Sequence, residues 1–444
     1  MKFKTFLFFL FVGISASGQQ KMDTILSLKG CIKMSFENNL RLKQAVMETV
    51  KNDFMLKESI SAGLPQINSF ASFDDYLNVP TTMVSGEIVG QPGIMVPIQL
   101  GTKYNAVAGI QAGQMIYDAS YFASVRLFRK MLQISNLNEI QAREELAYAI
   151  AQMYLFIQVT NKQLALVDSN LVAFRRISGI SEQHFKNGLI MKTDLDRISV
   201  AVNTLSTERD NLLIARNQQL NMLKYTIGVG QNLVVVLADS IEAISFYYDS
   251  ADTSFRNLTL MKIKEGQKDM ASINMKLARA AHLPSLSGYT LFNYQAQVEK
   301  TGEIDNSNNW YKTSYIGIKL NIPVFQGTGI SNRINQHRIE LRQIETGIED
   351  LQNELTVKMM TAKERLSISR QSEARSGFSK ELAARVFIIT NQQYNLGLKS
   401  LTEVLNSHLE YNTAYMTWLN SMLQIKLSEL EIAKLNGAIT ALFQ

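Results

Sequence analysis

The positions of the prolines limit what this chain can fold into more than any other feature of its sequence. The six prolines lie at positions 65, 80, 92, 97, 284 and 323. Residues 98–283 and the residues after 323 contain no proline and are rich in Leu, Ala, Glu, Gln, Lys and Arg. Because proline breaks helix interiors and these other residues favour helix, the sequence predicts two very long helical tracts.

Apolar residues in both tracts recur at intervals of three or four residues. After Leu401 the series is Leu405, Leu409, Met416, Leu419, Leu423 and Leu430, and in the first tract it is Leu195, Ile198, Val202, Leu205 and Leu212. Asn412 interrupts the former series and Arg209 the latter. A repeat of about 3.5 residues is typical of a coiled-coil seam. Helical stretches of about 60 residues would be roughly 90 Å long.

A second pattern lies around the prolines. Residues 311–322 (YKTSYIGIKLNI) alternate between apolar and polar side chains, with the apolar face formed by Ile316, Ile318, Leu320 and Ile322. This alternation predicts a half-buried β-strand, and less regular alternation is found in 66–76, 103–116 and 285–297. Segments of about ten residues with one apolar face are typical of transmembrane β-strands. Two soluble hairpins that cap a helical bundle would show the same pattern.

The first twenty residues have the layout of a secretory signal peptide. Lys2 and Lys4 precede an apolar run over residues 6–12, and small residues up to Gly18 follow it. We therefore expect a signal peptide over residues 1–18 and export of the chain. The alternative is an N-terminal membrane anchor, but this apolar run is too short to span about 30 Å of hydrocarbon.

Composition argues against several kinds of function. The 45 basic and 39 acidic residues give a net charge of +6, and they are scattered without the basic stripe of a nucleic-acid surface. Cys31 is the only cysteine, so an intrachain disulfide is excluded. The four histidines lack metal-ligand spacing, and no glycine-rich phosphate loop is found. We predict a protein that is not an enzyme and has no metal or cofactor.

The chain shows signs of an internal duplication. Three pairs of short motifs recur in the same order: Leu64-Pro65 and Leu283-Pro284, Gly109-Ile110 and Gly317-Ile318, and Gly188-Leu189 and Gly397-Leu398. The first copy is longer by roughly eleven residues, which we place in an exposed loop over 80–101, where extra length costs little. The predicted organisation is a signal peptide (1–18), a first repeat (19–228, hairpin 66–116, helix tip near 188), a linker (229–255) and a second repeat (256–444, hairpin 285–322, helix tip near 397).

The number of strands has a consequence for assembly. Each chain offers four strands, whereas about eight are needed before a barrel can close around its side chains. An open sheet in lipid would leave the backbone groups of its edges unpaired, at a cost of several kcal/mol each. If the strands lie in a membrane, several copies must therefore share one barrel. Trp310, Tyr311 and Tyr104 near the strand ends would suit its interfacial aromatic girdle.

These residues resemble the TolC family of outer-membrane efflux proteins over essentially the whole mature chain. The similarity rests on residues 26–45, the two Leu-Pro junctions, GIKLNIPVFQGTGI (317–330), and two related turns, FKNGLIMKTDL (185–195) and YNLGLKSLTEV (394–404). The resemblance implies an α+β membrane protein that forms a trimeric, twelve-stranded β-barrel in the outer membrane of a Gram-negative bacterium. A long α-helical coiled-coil barrel would continue from it into the periplasm.

The same resemblance assigns roles to the two turns. They would be periplasmic tips that dock an adaptor protein, formed by Asn187, Gly188 and Leu189 in one turn and Leu396, Gly397 and Leu398 in the other. The alternative is that both glycines merely end a helix. Glu403 and Asn406 would form the tunnel constriction, although the family often has an acid where this chain has Asn406. The alternative for Glu403 is stabilisation of the first turn of its helix.

Four further residues match a latch between neighbouring helices of the family, namely Thr193, Asp194, Tyr394 and Lys399. The implied function is an outer-membrane exit channel of a tripartite efflux system, which passively conducts small molecules from an inner-membrane pump and its adaptor and opens by an iris-like movement of the tips. Two alternatives are a channel for type I protein secretion and, from a different class, a periplasmic coiled-coil adaptor without a channel.

Overall fold

The computed structural model describes residues 23–247 and 255–442. The predicted signal peptide lies outside these residues. The chain divides into a helical unit (Met1–Lys43, Ala142–Phe255 and Leu355–Gln444) and a strand unit (Gln44–Gln141 and Arg256–Glu354). Within the described ranges, no helix is both long enough and apolar enough to cross a membrane.

Seven α-helices make up most of the described residues. They are α1 (Leu28–Asn38), α2 (Leu40–Ser61), α3 (Ala119–Lys186), α4 (Lys192–Ile227), α5 (Thr259–Ala280), α6 (Gly329–Asn395) and α7 (Leu401–Leu435). Helices α3 and α6 contain 68 and 67 residues. Every residue of both lies in a proline-free tract, which explains how they continue without a break.

Residues 28–61 form two helices rather than one. Asn39 separates α1 from α2 with an extended backbone, at ψ 122°. Its side chain bonds to α2 and to α4, because Oδ1 accepts a hydrogen bond from the Leu42 N–H at 3.0 Å and Nδ2 donates to the Thr226 carbonyl at 2.7 Å. Asn39 therefore caps a new helix rather than continuing the first.

The strand unit contains a four-stranded antiparallel sheet in the order β2-β5-β7-β8. Its strands are β2 (Gln66–Asp75), β5 (Tyr104–Tyr117), β7 (Ser285–Val298) and β8 (Trp310–Asn321). The central pairing joins β5 to β7, with Ile110 opposite Phe292. Among the described residues, the outer strands β2 and β8 each pair on one side only.

Residues 80–101 are more ordered than the exposed loop expected there. Strands β3 (Thr81–Ser85) and β4 (Met95–Gln99) pair as a hairpin, with Val84 opposite Val96. Gly90 and Gly93, both at positive φ, form part of its connection. Two further strands, β1 (Asp23–Leu26) and β6 (Val234–Leu237), pair in parallel in the helical unit. Strands this short carry too few residues for a period of two to be visible in the sequence.

A hydrogen-bonded tyrosine lies at the centre of the helical unit. Tyr154 is fully buried, and its hydroxyl lies 3.1 Å from both the Leu26 carbonyl and Asp239 Oδ2. The same hydroxyl accepts a hydrogen bond from the Asp239 N–H at 3.0 Å. Asp239 Oδ2 also accepts from the Leu28 N–H, at the start of α1. Burial, and then the nearby Asp239, raise the pKa of the Cys31 thiol in this core to about 12.

The two polar residues that interrupt the apolar series both bond to α3. Asn412 Oδ1 accepts from Asn170 Nδ2 at 2.9 Å, and Arg209 Nε donates to Asp168 Oδ1 at 2.6 Å. Helices α7 and α4 are thus tied to neighbouring positions of α3. Such polar contacts in an apolar seam favour one register of the packed helices over others.

Candidate functional site

The two tip turns have the same backbone geometry. Gly188 and Gly397 each have φ of +74°, in the left-handed region that favours glycine. In each turn the glycine N–H bonds to the carbonyl three residues earlier, at 2.9 Å, and the next N–H bonds to the carbonyl five residues earlier, at 2.8 Å. This pair of bonds is the Schellman motif that ends an α-helix. Both glycines are therefore helix terminators, whether or not the turns also bind a partner.

Each tip exposes apolar side chains beside its glycine. Leu189 is 69% exposed in the first turn, and Leu396 and Leu398 are 73% and 70% exposed in the second. Asn187 is also exposed. The Schellman geometry thus presents leucines to the surroundings at two equivalent positions, which suits an apolar contact with another protein.

Glu403 stabilises the helix that follows the second tip. Ser400 Oγ accepts a hydrogen bond from the Glu403 N–H at 3.3 Å, and Glu403 Oε2 accepts from the Ser400 N–H at 2.9 Å. This reciprocal pair is a capping box. Glu403 Oε1 also pairs with Lys399. The hydrogen bond from Lys399, followed by those from Ser400, lowers the pKa of Glu403 to about 2. The helix-stabilising alternative for Glu403 is therefore present within the chain.

A different set of contacts holds the first tip. Thr193 and Asp194 lie in the first turn of α4, whose N-cap, Met191, makes no side-chain capping bond. Arg197 lies 3.6 Å from Asp194 Oδ1, and its Nη1 donates to Thr402 Oγ1 at 3.2 Å. Arg197 therefore links the first turns of the two helices that follow the tips.

The four predicted latch residues do not bond to one another in the described chain. Tyr394 is only 3% exposed, and its hydroxyl lies 2.7 Å from Ser181 Oγ on α3. Lys399 pairs with Glu403, and Asp194 with Arg197. The latch between neighbouring helices stays a prediction. Asn406 is exposed one turn after Glu403 on α7, so the two side chains share a helix face, and the constriction they would form also stays a prediction.

Sequence reasoning missed three residues of this site. The spacing of Ser400 and Glu403 matches the S-x-x-E capping-box pattern, so Ser400 could have been found from the sequence. Arg197 and Ser181 carry no such signal, because their partners lie on other helices, far away in sequence.

The four-stranded sheet has one mostly apolar and one mostly polar face. Residues directly opposite across antiparallel strands point to the same side. The register therefore places on one face Ile67, Phe73, Ala108, Ile110, Phe292, Ile316, Ile318 and Leu320. Ile316 is 87% exposed and Ile318 is 72% exposed. The opposite face carries Asn68, Ser72, Asn105, Gln111, Asn293, Gln295, Thr313 and Lys319.

The aromatic residues suggested for a girdle divide between these faces. Trp310 pairs with Ala296, and Tyr104 with Val298 and Asp75, so both lie at one end of the apolar face. Tyr311 pairs with Gln295 and lies on the polar face. Tyr311 therefore does not share the side of the sheet that the other two occupy.

Replacing Ser400 with alanine is expected to fray the first turn of α7. Loss of an N-cap serine costs about 0.5–2 kcal/mol of helix stability. Because the pKa of Glu403 lies below its ordinary value of 4.5, the contribution of its carboxylate is present above pH 4.5 and is lost as the pH falls toward 2. Hydrogen exchange of the amides of residues 401–404 measures the effect. Ser400→Thr, which retains the cap, is the control, and equal protection in both variants would contradict the expectation.

Comparison with known proteins bears on both the sheet and the tips. Residues 261–438 match the family described as outer membrane efflux protein. This match covers less than half of the chain. The match includes the second tip and Glu403, whereas the first tip lies outside it. The predicted resemblance to outer-membrane efflux proteins is thereby confirmed.

A curated relative is similar to part of this chain. The chain is 23% identical over 237 residues to the outer membrane protein TolC of Vibrio cholerae, which corresponds to 52% of this chain and 53% of that protein. The match thus spans about half the length of that relative.

Solved structures share the fold of this chain over most of its length. The Campylobacter jejuni CmeC outer membrane channel matches with a TM-score of 0.77 and 15% identity, over 92% of this chain and 85% of that chain. CusC matches with a TM-score of 0.76 and 15% identity, over 92% and 91% of the two chains. The outer membrane protein VceC of Vibrio cholerae has a TM-score of 0.73 at 13% identity, over 92% and 96%.

Proposed function

We propose that this chain is one subunit of a trimeric outer-membrane channel, and that the channel is the exit duct of a tripartite efflux system. The observation that carries the proposal is the sheet β2-β5-β7-β8, which has a highly exposed apolar face and two outer strands that pair on one side only. The family match and the relatives named as outer-membrane proteins support this location.

The proposed trimer follows from the sheet edges. In lipid, unpaired backbone groups on β2 and β8 would cost several kcal/mol each. Pairing β8 of one copy with β2 of the next removes both edges, and three copies would close a twelve-stranded barrel. Its apolar face would contact lipid, and the polar face with Asn293 and Lys319 would line the channel. A periplasmic adaptor without a channel would have no use for such a sheet.

The tips would face the periplasm and bind an adaptor protein, which would in turn bring an inner-membrane pump. The exposed leucines at 189, 396 and 398 support an apolar docking contact, repeated in three subunits. No cofactor is needed for this role, because the channel conducts passively and the energy would come from the pump.

The proposed gate lies at Glu403 and Asn406. Three copies of Glu403 around a threefold axis would form an anionic constriction that favours cations. The capping box does not conflict with this role, because the side chain of Glu403 remains 44% exposed. With Asn406 in place of a second acid, the selectivity would rest on one ring of carboxylates.

Single-channel conductance in a planar bilayer tests this function. We expect the detergent-purified protein to insert and give small, cation-selective currents. Glu403→Gln should reduce the cation preference, because it removes the charge while an amide at this position can still complete a capping box. Glu410→Gln removes an exposed acid two turns further along α7 and is the matched control.

The possible results test the gate and the channel separately. Equal selectivity in both variants and the wild type would contradict the gate and leave the channel in place. Failure of the wild type to insert or conduct would contradict the channel itself.

A further inference from the structure

One buried histidine plays no part in the proposed channel or its gate. His408 lies on α7, between the Glu403 capping box and Asn412, and is only 7% exposed. Its Nε2 atom is buried and has no hydrogen-bond partner in the described part of the chain. Buried polar atoms usually form hydrogen bonds, and a buried atom without one lowers the stability of the fold.

The side chains around His408 are aromatic and apolar. The ring of Phe174 on α3 lies edge-on with its centroid 4.4 Å from that of the imidazole, and the ring of Phe387 on α6 lies at 5.3 Å. Phe387 in turn stacks on Tyr411, one turn after His408. Phe174 and Phe387 belong to a buried apolar cluster, to which helix α4 contributes Ile198. The imidazole is therefore buried against aromatic rings from α3 and α6.

This environment accepts the neutral imidazole and penalises the charged one. The titratable groups of the cluster are the tyrosines Tyr394 and Tyr411. Burial alone lowers the pKa of His408 to about 4, and no charged group of the packed helices contributes. A protonated His408 would lack both water and a carboxylate partner, so it would favour separation of the helices.

The cluster joins the helices that the tips connect. It contains Phe174 from α3, Ile198 from α4, Tyr394 from α6 and Val404 from α7. An iris-like movement of the tips would have to loosen this packing. The position of His408 therefore couples its protonation to the part of the helical unit that the proposed gate has to move.

We propose that His408 is an acid-sensitive element of the tip helices, and that its protonation shifts them from the packed arrangement toward a loosened one. The link to channel opening rests on the proposed function. The loosening itself concerns only the helical unit.

The direction and size of the shift toward the loosened state follow from the difference between the pKa values of His408 in the two states. The pKa of His408 is lower in the packed state, at about 4, than the ordinary 6.5 expected in a loosened state. The stability that neutral His408 contributes is therefore complete above pH 6.5 and is lost as the pH falls toward 4. Between pH 7.5 and 5.0 the equilibrium should shift toward the loosened state roughly thirty-fold.

Hydrogen exchange of the full-length protein in detergent measures this shift. Peptides that cover residues 384–411 are compared at pH 7.5 and 5.0, with rates corrected for intrinsic exchange. The wild type should show roughly thirty-fold more opening at pH 5.0. His408→Leu should remove the pH dependence, because the apolar side chain cannot be protonated. His408→Met is a second variant of similar volume, used if the first fails to fold at pH 7.5.

His184→Gln is the matched control. His184 lies on α3 near the first tip, and its ring contacts Tyr394 with the centroids 6.2 Å apart. The control should keep the full response to acid. A response that persists in both His408 variants, or that disappears in His184→Gln, overturns the proposal.

Bilayer currents recorded on the same preparations distinguish failure of this inference from failure of the proposed function. If the protein conducts but its hydrogen exchange does not change with acid, the proposed function holds and the proposal for His408 is wrong. A response that depends on His408 in a protein that does not conduct supports the loosening and contradicts the channel.

Discussion

Replacing Ile318 with lysine is expected to prevent assembly of the protein in the outer membrane. Ile318 is 72% exposed and lies between Ile316 and Leu320 on the apolar face of β8. A lysine on the lipid side of a barrel strand costs about 2–4 kcal/mol near the middle of the bilayer, and a trimer would bear this cost three times. If the sheet were instead a soluble cap on a helical bundle, an exposed substitution of this kind would change stability by about 0.5 kcal/mol or less.

Thr313→Lys is the control for this experiment. Thr313 is exposed on the same strand, but its register opposite Asn293 places it on the polar face. We expect Thr313→Lys to fractionate with the outer membrane as a heat-resistant trimer, whereas Ile318→Lys should be degraded or remain unassembled. Ile318→Val should behave as the wild type. Normal membrane assembly of Ile318→Lys would show that this face does not contact lipid.

Truncation of Leu155 to alanine should cause the largest loss of stability in the helical unit. Leu155 is fully buried on α3, next to Tyr154, in the cluster that also contains Ile32 and Ile227. Removal of a buried leucine side chain costs about 2–5 kcal/mol, because the transfer free energy is lost and a cavity remains. The midpoint of thermal unfolding, followed by circular dichroism in detergent, should fall clearly.

Leu155→Met is the matched control, because it keeps the volume and apolar character of the site and should cost less than about 1.5 kcal/mol. The difference between the two variants, rather than either value alone, measures the packing. An alanine variant as stable as the methionine variant would mean that this cluster does not limit the stability of the fold.

Much of the candidate site could be predicted from the sequence. Gly188 and Gly397 stand out because each ends a long helical pattern, and the structure gives both the positive φ that such an ending requires. Glu403 was assigned two alternative roles, and the capping role is visible within one chain, whereas the gate needs neighbouring subunits. Arg197 could not be predicted, because its link to Thr402 joins positions 205 residues apart in the sequence.

The long helices, the four strands of the main sheet and the ends of the helices at both tips could all be predicted from the sequence. These features depend on local causes, namely the absence of proline, alternation along a strand and glycine at a helix end. The contacts of Asn39 with Thr226, of Tyr394 with Ser181 and of His408 with Phe174 become visible only once the helices are packed. Each of these depends on a partner from a different helix, and the spacing of residues along one helix does not specify which residue of another helix it will meet.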